Sequence, residues 1–201
     1  MMKKLMIAII LLTVAAGSVR GGDDFRRKHR SFSFPMMEMS GTGTGQALRS
    51  NYGAAFTTTR TYFLHRKPIG GFLKIGIDAT WFDLCYNNYK ILYKEYGQTS
   101  KEYMHQAEIG MQAGLSLTFN PVGKMNITLF GRYAPTFSAY YHDGISGGYA
   151  GYWIGGGSLS YGVIGLGIEY RTGECNYRHF SEGGSTPASL TGLRACISLN
   201  F

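Results

Sequence analysis

The chain has 201 residues, of which 44% are hydrophobic, 14% are aromatic and 29 are Gly, and it carries a formal net charge of +8. That length suits one ordinary domain, and the abundance of Gly and aromatics points to β structure. After residue 16 no apolar run approaches the about 20 residues that a spanning helix needs, so any membrane crossing would be made by strands.

Lys3 and Lys4 precede an apolar run from Leu5 to Ala16, and Gly17 and Ser18 follow it. This reads as a secretory signal peptide over residues 1–18, cleaved near 16–18. Without those two lysines the formal charge falls from +8 to +6. Residues 19–30 are expected to be a basic periplasmic N-terminal segment, with the cluster RRKHR at Arg26–Arg30 either solvated or drawn to anionic headgroups. Nucleic acid is not an expected partner of an exported chain on charge alone. The barrel proper is expected over 31–201.

Along that stretch apolar and polar residues alternate with a period of two. Leu73, Ile75, Ile77, Ala79 and Trp81 alternate with Lys74, Gly76, Asp78 and Thr80, and a run from Ala107 to Phe119 alternates with Gln106, Glu108, Gly110 and Gln112. The same holds for Met125–Tyr133, for Ile164–Tyr170, and for Leu193, Ala195, Ile197, Leu199 and Phe201 at the end. Seven strands are predicted near 52–65, 70–83, 104–119, 124–137, 149–158, 161–172 and 190–201. An eighth, needed for an even count, falls at 31–40, where Pro35 is an obstacle because it cannot donate to a ladder and a closed barrel has no free edge.

A soluble sandwich would also alternate. Here the second face holds Lys, Asp, Glu, Arg and many Gly, while the apolar face is long and tipped by aromatics, as a tilted strand crossing a bilayer requires. The connections alternate in length: the stretches Tyr86–Glu102, Tyr140–Gly148 and Gly173–Ser189 are long, and those at 66–69, 120–123 and 158–161 are short. The fold class is all-β, an antiparallel up-and-down transmembrane barrel with short periplasmic turns, long extracellular loops and both termini periplasmic.

The segments RYAPTFS, NPVGK and the ending ACISLNF resemble the small outer-membrane β-barrel proteins of Bacteroidetes-type bacteria. The resemblance covers most of residues 31–201 and implies an integral place in the outer membrane of a Gram-negative cell, among outer-membrane lipids and lipopolysaccharide. It also implies that Ala195, Ile197, Leu199 and Phe201 form the C-terminal signal read by the outer-membrane assembly machinery. It supplies no activity.

The inward face should carry Lys74, Asp78, Glu108, Arg132, Glu169, Arg171 and Arg194, four positive charges and three negative. Eight strands leave an interior that side chains fill, so these charges are expected to pair across the lumen. The alternative is a narrow, slightly anion-favouring porin-like channel. Trp81, Phe82, Tyr86, Tyr133, Tyr140, Tyr141, Tyr152 and Trp153 fit an outer interfacial girdle, and Tyr62, Phe63, Phe119, Tyr161 and Phe201 an inner one.

Two outer clusters, His142 with Asp143 and Ser146, and His179 with Ser181 and Glu182, hold the residue types of nucleophilic catalysis, which suggests a lipid A-modifying acyl hydrolase or transferase as an alternative to a non-enzymatic role. Their polar, Gly-rich surroundings need no catalytic explanation, and no catalytic residue is assigned. Cys85, Cys175 and Cys196 form no C-x-x-C pair and have no His at metal spacing, so neither a metal nor another cofactor is expected. Cys85 and Cys175, both placed just past outer strand ends, are candidates for a disulfide. The expected role is that of a structural or surface-interaction protein, monomeric, with a filled lumen.

Overall fold

Alternation such as that of Leu73–Trp81 becomes a strand because a pleated backbone sends successive side chains to opposite faces, and each set then finds its own environment. The computed structural model describes residues 25–41, 47–95, 98–142, 144–180 and 184–201. The proposed signal peptide lies outside the described residues. Eight strands are present: β1 (Lys28–Ser40), β2 (Leu48–Phe63), β3 (Leu73–Glu95), β4 (Gln98–Val122), β5 (Met125–Tyr141), β6 (Ile145–Tyr161), β7 (Ile164–His179) and β8 (Ser185–Asn200). Each pairs antiparallel with the next, and β8 pairs with β1 from Asn200 opposite His29 to Ser189 opposite Ser40, closing a barrel. Closure satisfies the backbone of every strand in the ring and removes its edges.

Pro35 is accommodated within β1. Its register with β8 is unbroken, Pro35 standing opposite Arg194, whereas the register with β2 shifts between Ser33 and Glu38. The missing N–H falls where the β1–β2 ladder is already irregular, so it breaks nothing. The basic segment is no free tail from residue 25 onward: β1 begins at Lys28, Arg26 Nη1 donates to the Asn200 carbonyl (2.9 Å), and Phe25 is buried against Phe63.

Strands run further than the sequence suggested at the end away from the termini. The expected outer segments do lie there, but 86–95, 98–102, 140–141, 145–148, 173–179 and 185–189 are paired strand rather than loop. At the terminus end the hairpins turn slightly later than expected, at Gly123-Lys124 and Gly162-Val163. Gly123 and Gly162 take positive φ (47° and 58°), which a side chain would resist.

Outside the ring the apolar residues are exposed on every strand, among them Phe32, Ile77, Leu115, Leu129, Leu166 and Ile197. Trp81 and Trp153 are 62% and 67% exposed, with Tyr133 and Tyr141 also outward; Tyr62, Tyr161 and Phe201 face outward at the terminus end. An apolar belt of this extent has no place in water, while Asp78, Glu108, Glu169, Arg171 and Arg194 are buried within; the arrangement is that of a barrel spanning a bilayer.

Candidate functional site in the barrel interior

The interior is layered along the barrel axis. At the terminus end Ser31, Thr57, Thr59, Thr128, Ser158 and Ser198 line a cavity of about 50 Å³, room for roughly three or four waters. Phe25 closes this end, and the Lys74 ammonium lies 4.3 Å from its ring and 5.3 Å from that of Phe63. Above the cavity Asp78 accepts from Thr61 Oγ1 (2.7 Å), Ser116 Oγ (2.8 Å) and both Nε (3.0 Å) and Nη2 (2.5 Å) of Arg132. Both Arg132 nitrogens donate to Oδ2, while Oδ1 accepts the two hydroxyls, so each carboxylate oxygen has its own partners. The Arg132 guanidinium also covers the Phe130 ring at 3.9 Å.

A second ionic layer follows, centred on Asp83. This carboxylate accepts from Arg194 Nη1 (2.9 Å), Arg171 Nη2 (3.0 Å) and Gln112 Nε2 (2.8 Å). Gln112 Oε1 in turn accepts from Arg132 Nη1 (3.3 Å), linking the layers. Arg194 reaches Glu169 (3.5 Å), and Glu108 lies 3.8 Å from Arg171 and 3.9 Å from Arg194. Tyr152 donates to Glu108, and Gln106 ties that carboxylate to Ser138 and Tyr177. Both arginines are fully buried. Such charges are tolerable only because each has a counter-charge within reach.

Beyond the ions the lumen turns apolar. Met39, Tyr89, Met104, Tyr140, Tyr177 and Leu190 pack into a core with Ile91, Leu48 and Ile154. Tyr89, Tyr152, Tyr177, Met39 and Leu190 are each 0% exposed, so side chains fill the barrel at this level.

All seven expected lumen residues are inside. Glu108, Glu169, Arg171 and Arg194 meet in one cluster, Asp78 and Arg132 form a separate pair, and Lys74 stands apart on its two rings. Asp83 was not among the expected residues, and it adds a fourth acid: Lys74, Arg132, Arg171 and Arg194 face Asp78, Asp83, Glu108 and Glu169, while Arg26 lines a smaller cavity at the terminus end beside Asn126 and Asn200. The signal for Asp83 was the doublet Trp81-Phe82. Both rings face outward, because the register against β4 shifts between Thr80 and Asp83, and every inward position thereafter changes parity. Cys85 moves with it: it is buried within β3, not past a strand end, and Cys175 is buried within β7. All three thiols are free, so the candidate disulfide is not formed. Tyr140 and Tyr152, expected in the girdle, belong to the inner core.

The catalytic candidates are regrouped. Asp143, Ser181 and Glu182 lie outside the described residues. Ser146 stands opposite His179 in the β6–β7 ladder, and Ser146 Oγ and His179 Nδ1 are hydrogen-bonded at 2.7 Å. The other ring nitrogen meets Thr186 Oγ1 at 3.1 Å, a hydroxyl where a carboxylate would orient a catalytic histidine. His142 faces Glu102 instead, at 3.7 Å.

Belt, ladder closure and buried ions together define a membrane-spanning barrel of eight strands with a filled interior. The sequence matches no known family and no curated protein. Among solved structures it is similar to Neisserial surface protein A (TM-score 0.48, 13% identity, covering 87% of this chain and 97% of that one). It is also similar to the outer membrane protease OmpT of Escherichia coli (0.43, 7%, 92% and 100%) and to the outer membrane protein OprG of Pseudomonas aeruginosa (0.42, 12%, 92% and 99%). Likenesses this loose decide nothing about activity, and nothing in them supports the narrower attribution to Bacteroidetes-type bacteria.

Proposed function

We propose that the chain is an integral outer-membrane barrel with a structural or surface-interaction role, its termini on the periplasmic side and its long strand ends outside, surrounded by outer-membrane lipids and lipopolysaccharide and acting as a monomer. The observation that supports this reading against a pore is the filled lumen, with paired ions below and a core of tyrosines, methionines and leucines above. In this reading Ala195, Ile197, Leu199 and Phe201, outward on the closing strand, are the face offered to the assembly machinery.

The test is conductance of the folded chain in a planar bilayer. A folded, heat-modifiable barrel without discrete steps is expected. Stable steps whose ion selectivity changes with substitution of Arg132 or Glu108 would restore the porin-like alternative.

One observation favours a second reading, a lipid A-modifying enzyme: the Ser146–His179 hydrogen bond. It requires that Ser146→Ala and His179→Ala each abolish a mass change in lipid A while the barrel still folds. Wild-type behaviour of both variants ends that reading.

A further inference from the structure

The outward belt is interrupted on β1 and β2. On β1 and β2 the side chains of Lys28, Arg30 and Arg60 face outward and are exposed. Lys28 stands opposite Arg60 across the ladder, and Arg30, two residues on, stands opposite Thr58, so the three cations occupy neighbouring positions on one face of one strand pair. Apolar side chains border them: Phe32 and Phe56 further along the same strands, and Leu199 of β8 opposite Arg30. Beyond Arg60, toward the terminus end, Tyr62 and Leu64 are again exposed. The cations therefore occupy a notch that opens at the terminus-end rim, where Lys28 begins β1, and reaches into the belt at Arg60.

A cation on the lipid-facing side of a barrel is costly in proportion to its depth, and it persists where a counter-charge is supplied. No described Asp or Glu pairs with them; the carboxyl end of Phe201, which accepts from the Lys28 N–H at 3.0 Å, is the one acidic group beside the recess, against three cations. On the adjoining strand Asp78 points inward and is taken by Arg132. The Arg60 guanidinium lies 5.2 Å from the ring of Tyr62, bent toward the terminus end as a snorkelling side chain would be. Lys28, Arg30, Arg60, Trp81 and Phe201 border a surface recess of about 550 Å³. Next to it the rings of Phe32, Phe56 and Phe82 form a continuous strip, with centroids 5.1 and 6.4 Å apart.

We propose that this notch is a lipid site: Lys28, Arg30 and Arg60 hold the phosphate of an anionic phospholipid in the leaflet at the terminus end, and one of its acyl chains lies along Phe32, Phe56 and Phe82. Charge complementarity selects this occupant. A second copy docked symmetrically through the same seam would set cations against cations. The proposal rests on the membrane-spanning reading of the belt.

Of the two tryptophans in the chain, Trp81 borders the recess, and a Trp153→Phe variant leaves it as the sole reporter. That variant is folded into vesicles of phosphatidylcholine containing either brominated phosphatidylglycerol or brominated phosphatidylcholine, and quenching of Trp81 is measured. Even one of the three cations enriches an anionic lipid roughly fivefold, so brominated phosphatidylglycerol should quench Trp81 equally at roughly one-fifth the mole fraction or less. Adding Lys28→Gln, Arg30→Gln and Arg60→Gln should abolish the preference. Equal quenching by the two lipids, or a preference that survives the glutamines, overturns the proposal. So does quenching that both lipids lose as the protein-to-lipid ratio rises, which would mean a second copy fills the notch. Quenching by neither lipid at any ratio would instead refute the membrane-spanning reading, and the lipid site with it.

Discussion

Asp83 is the residue on which the interior should prove most sensitive. It accepts from Arg194, Arg171 and Gln112 at 2.9, 3.0 and 2.8 Å, and both arginines are fully buried. An Asp83→Asn variant keeps the shape but removes the charge, weakening two charge-assisted hydrogen bonds worth about 1.5–3 kcal/mol each. That sum agrees with the about 3–5 kcal/mol expected when one partner of a buried ion pair is removed and the other is left uncompensated. Glu169→Gln is the internal control. Its contact with Arg194 is longer, 3.5 Å, so its loss should cost less, about 1–2 kcal/mol. Urea unfolding of the barrel in vesicles, followed by tryptophan fluorescence and by heat-modifiable mobility, reads both. An Asp83→Asn variant within about 1 kcal/mol of wild type, or a Glu169→Gln variant that costs more, would show that Asp83 does not organise the cluster.

Other outcomes follow from the packing. Leu190→Ala, at a site with no exposed surface, should destabilise by about 2–5 kcal/mol in the same assay through the cavity it leaves. Gly114 and Gly131 are cross-ladder neighbours with opposite expectations. A Cβ at Gly114 would sit 2.0 Å from the Gly131 carbonyl oxygen, so Gly114→Ala should cost at least about 1–3 kcal/mol. Nothing lies within 4 Å of a Cβ at Gly131, so Gly131→Ala should stay within about 0.5 kcal/mol of wild type. Buried Cys85 and Cys175 should resist maleimide in the folded barrel and react in denaturant, and electrophoretic mobility should not change upon reduction.

How much of this could be read from the residues depended on parity. Where alternation is unbroken, as from Leu73 to Thr80 or Ala107 to Phe119, facing and pairing were legible, and so were Asp78, Glu108, Arg132, Glu169, Arg171 and Arg194 as inward charges. Trp81-Phe82 interrupts the alternation, and a single extra residue carries Asp83, Cys85 and Tyr89 to the other face. The far ends of β3 and β4 escaped recognition for a different reason. Their charged and polar residues look like loop by composition, and only cross-strand pairing, a relation between distant residues, makes them strand. Pro35 misled in the opposite sense, because its cost depends on a local register shift that composition does not reveal. The Ser146–His179 contact likewise arises from ladder register and joins members of two separate sequence clusters.

The reach of β3 and β4 has a mechanical consequence. Pairing with β2 ends at Tyr89 and pairing with β5 at His105, yet β3 and β4 stay paired with each other out to Glu95 and Gln98. At about 3.3 Å per residue, the six residues from Lys90 to Glu95 make an arm of roughly 20 Å beyond the last pairing with β2, its base anchored by Ile91 in the inner core. Such an arm acts as a spacer with bending stiffness, holding whatever its tip meets at a set distance from the bilayer, where a slack loop would sample many distances. Among the described residues, it also leaves the outer edges of both strands without a ladder partner. Lys90, Lys101 and Glu102 lie along those edges, the kind of charged residue that discourages a foreign strand from adding on.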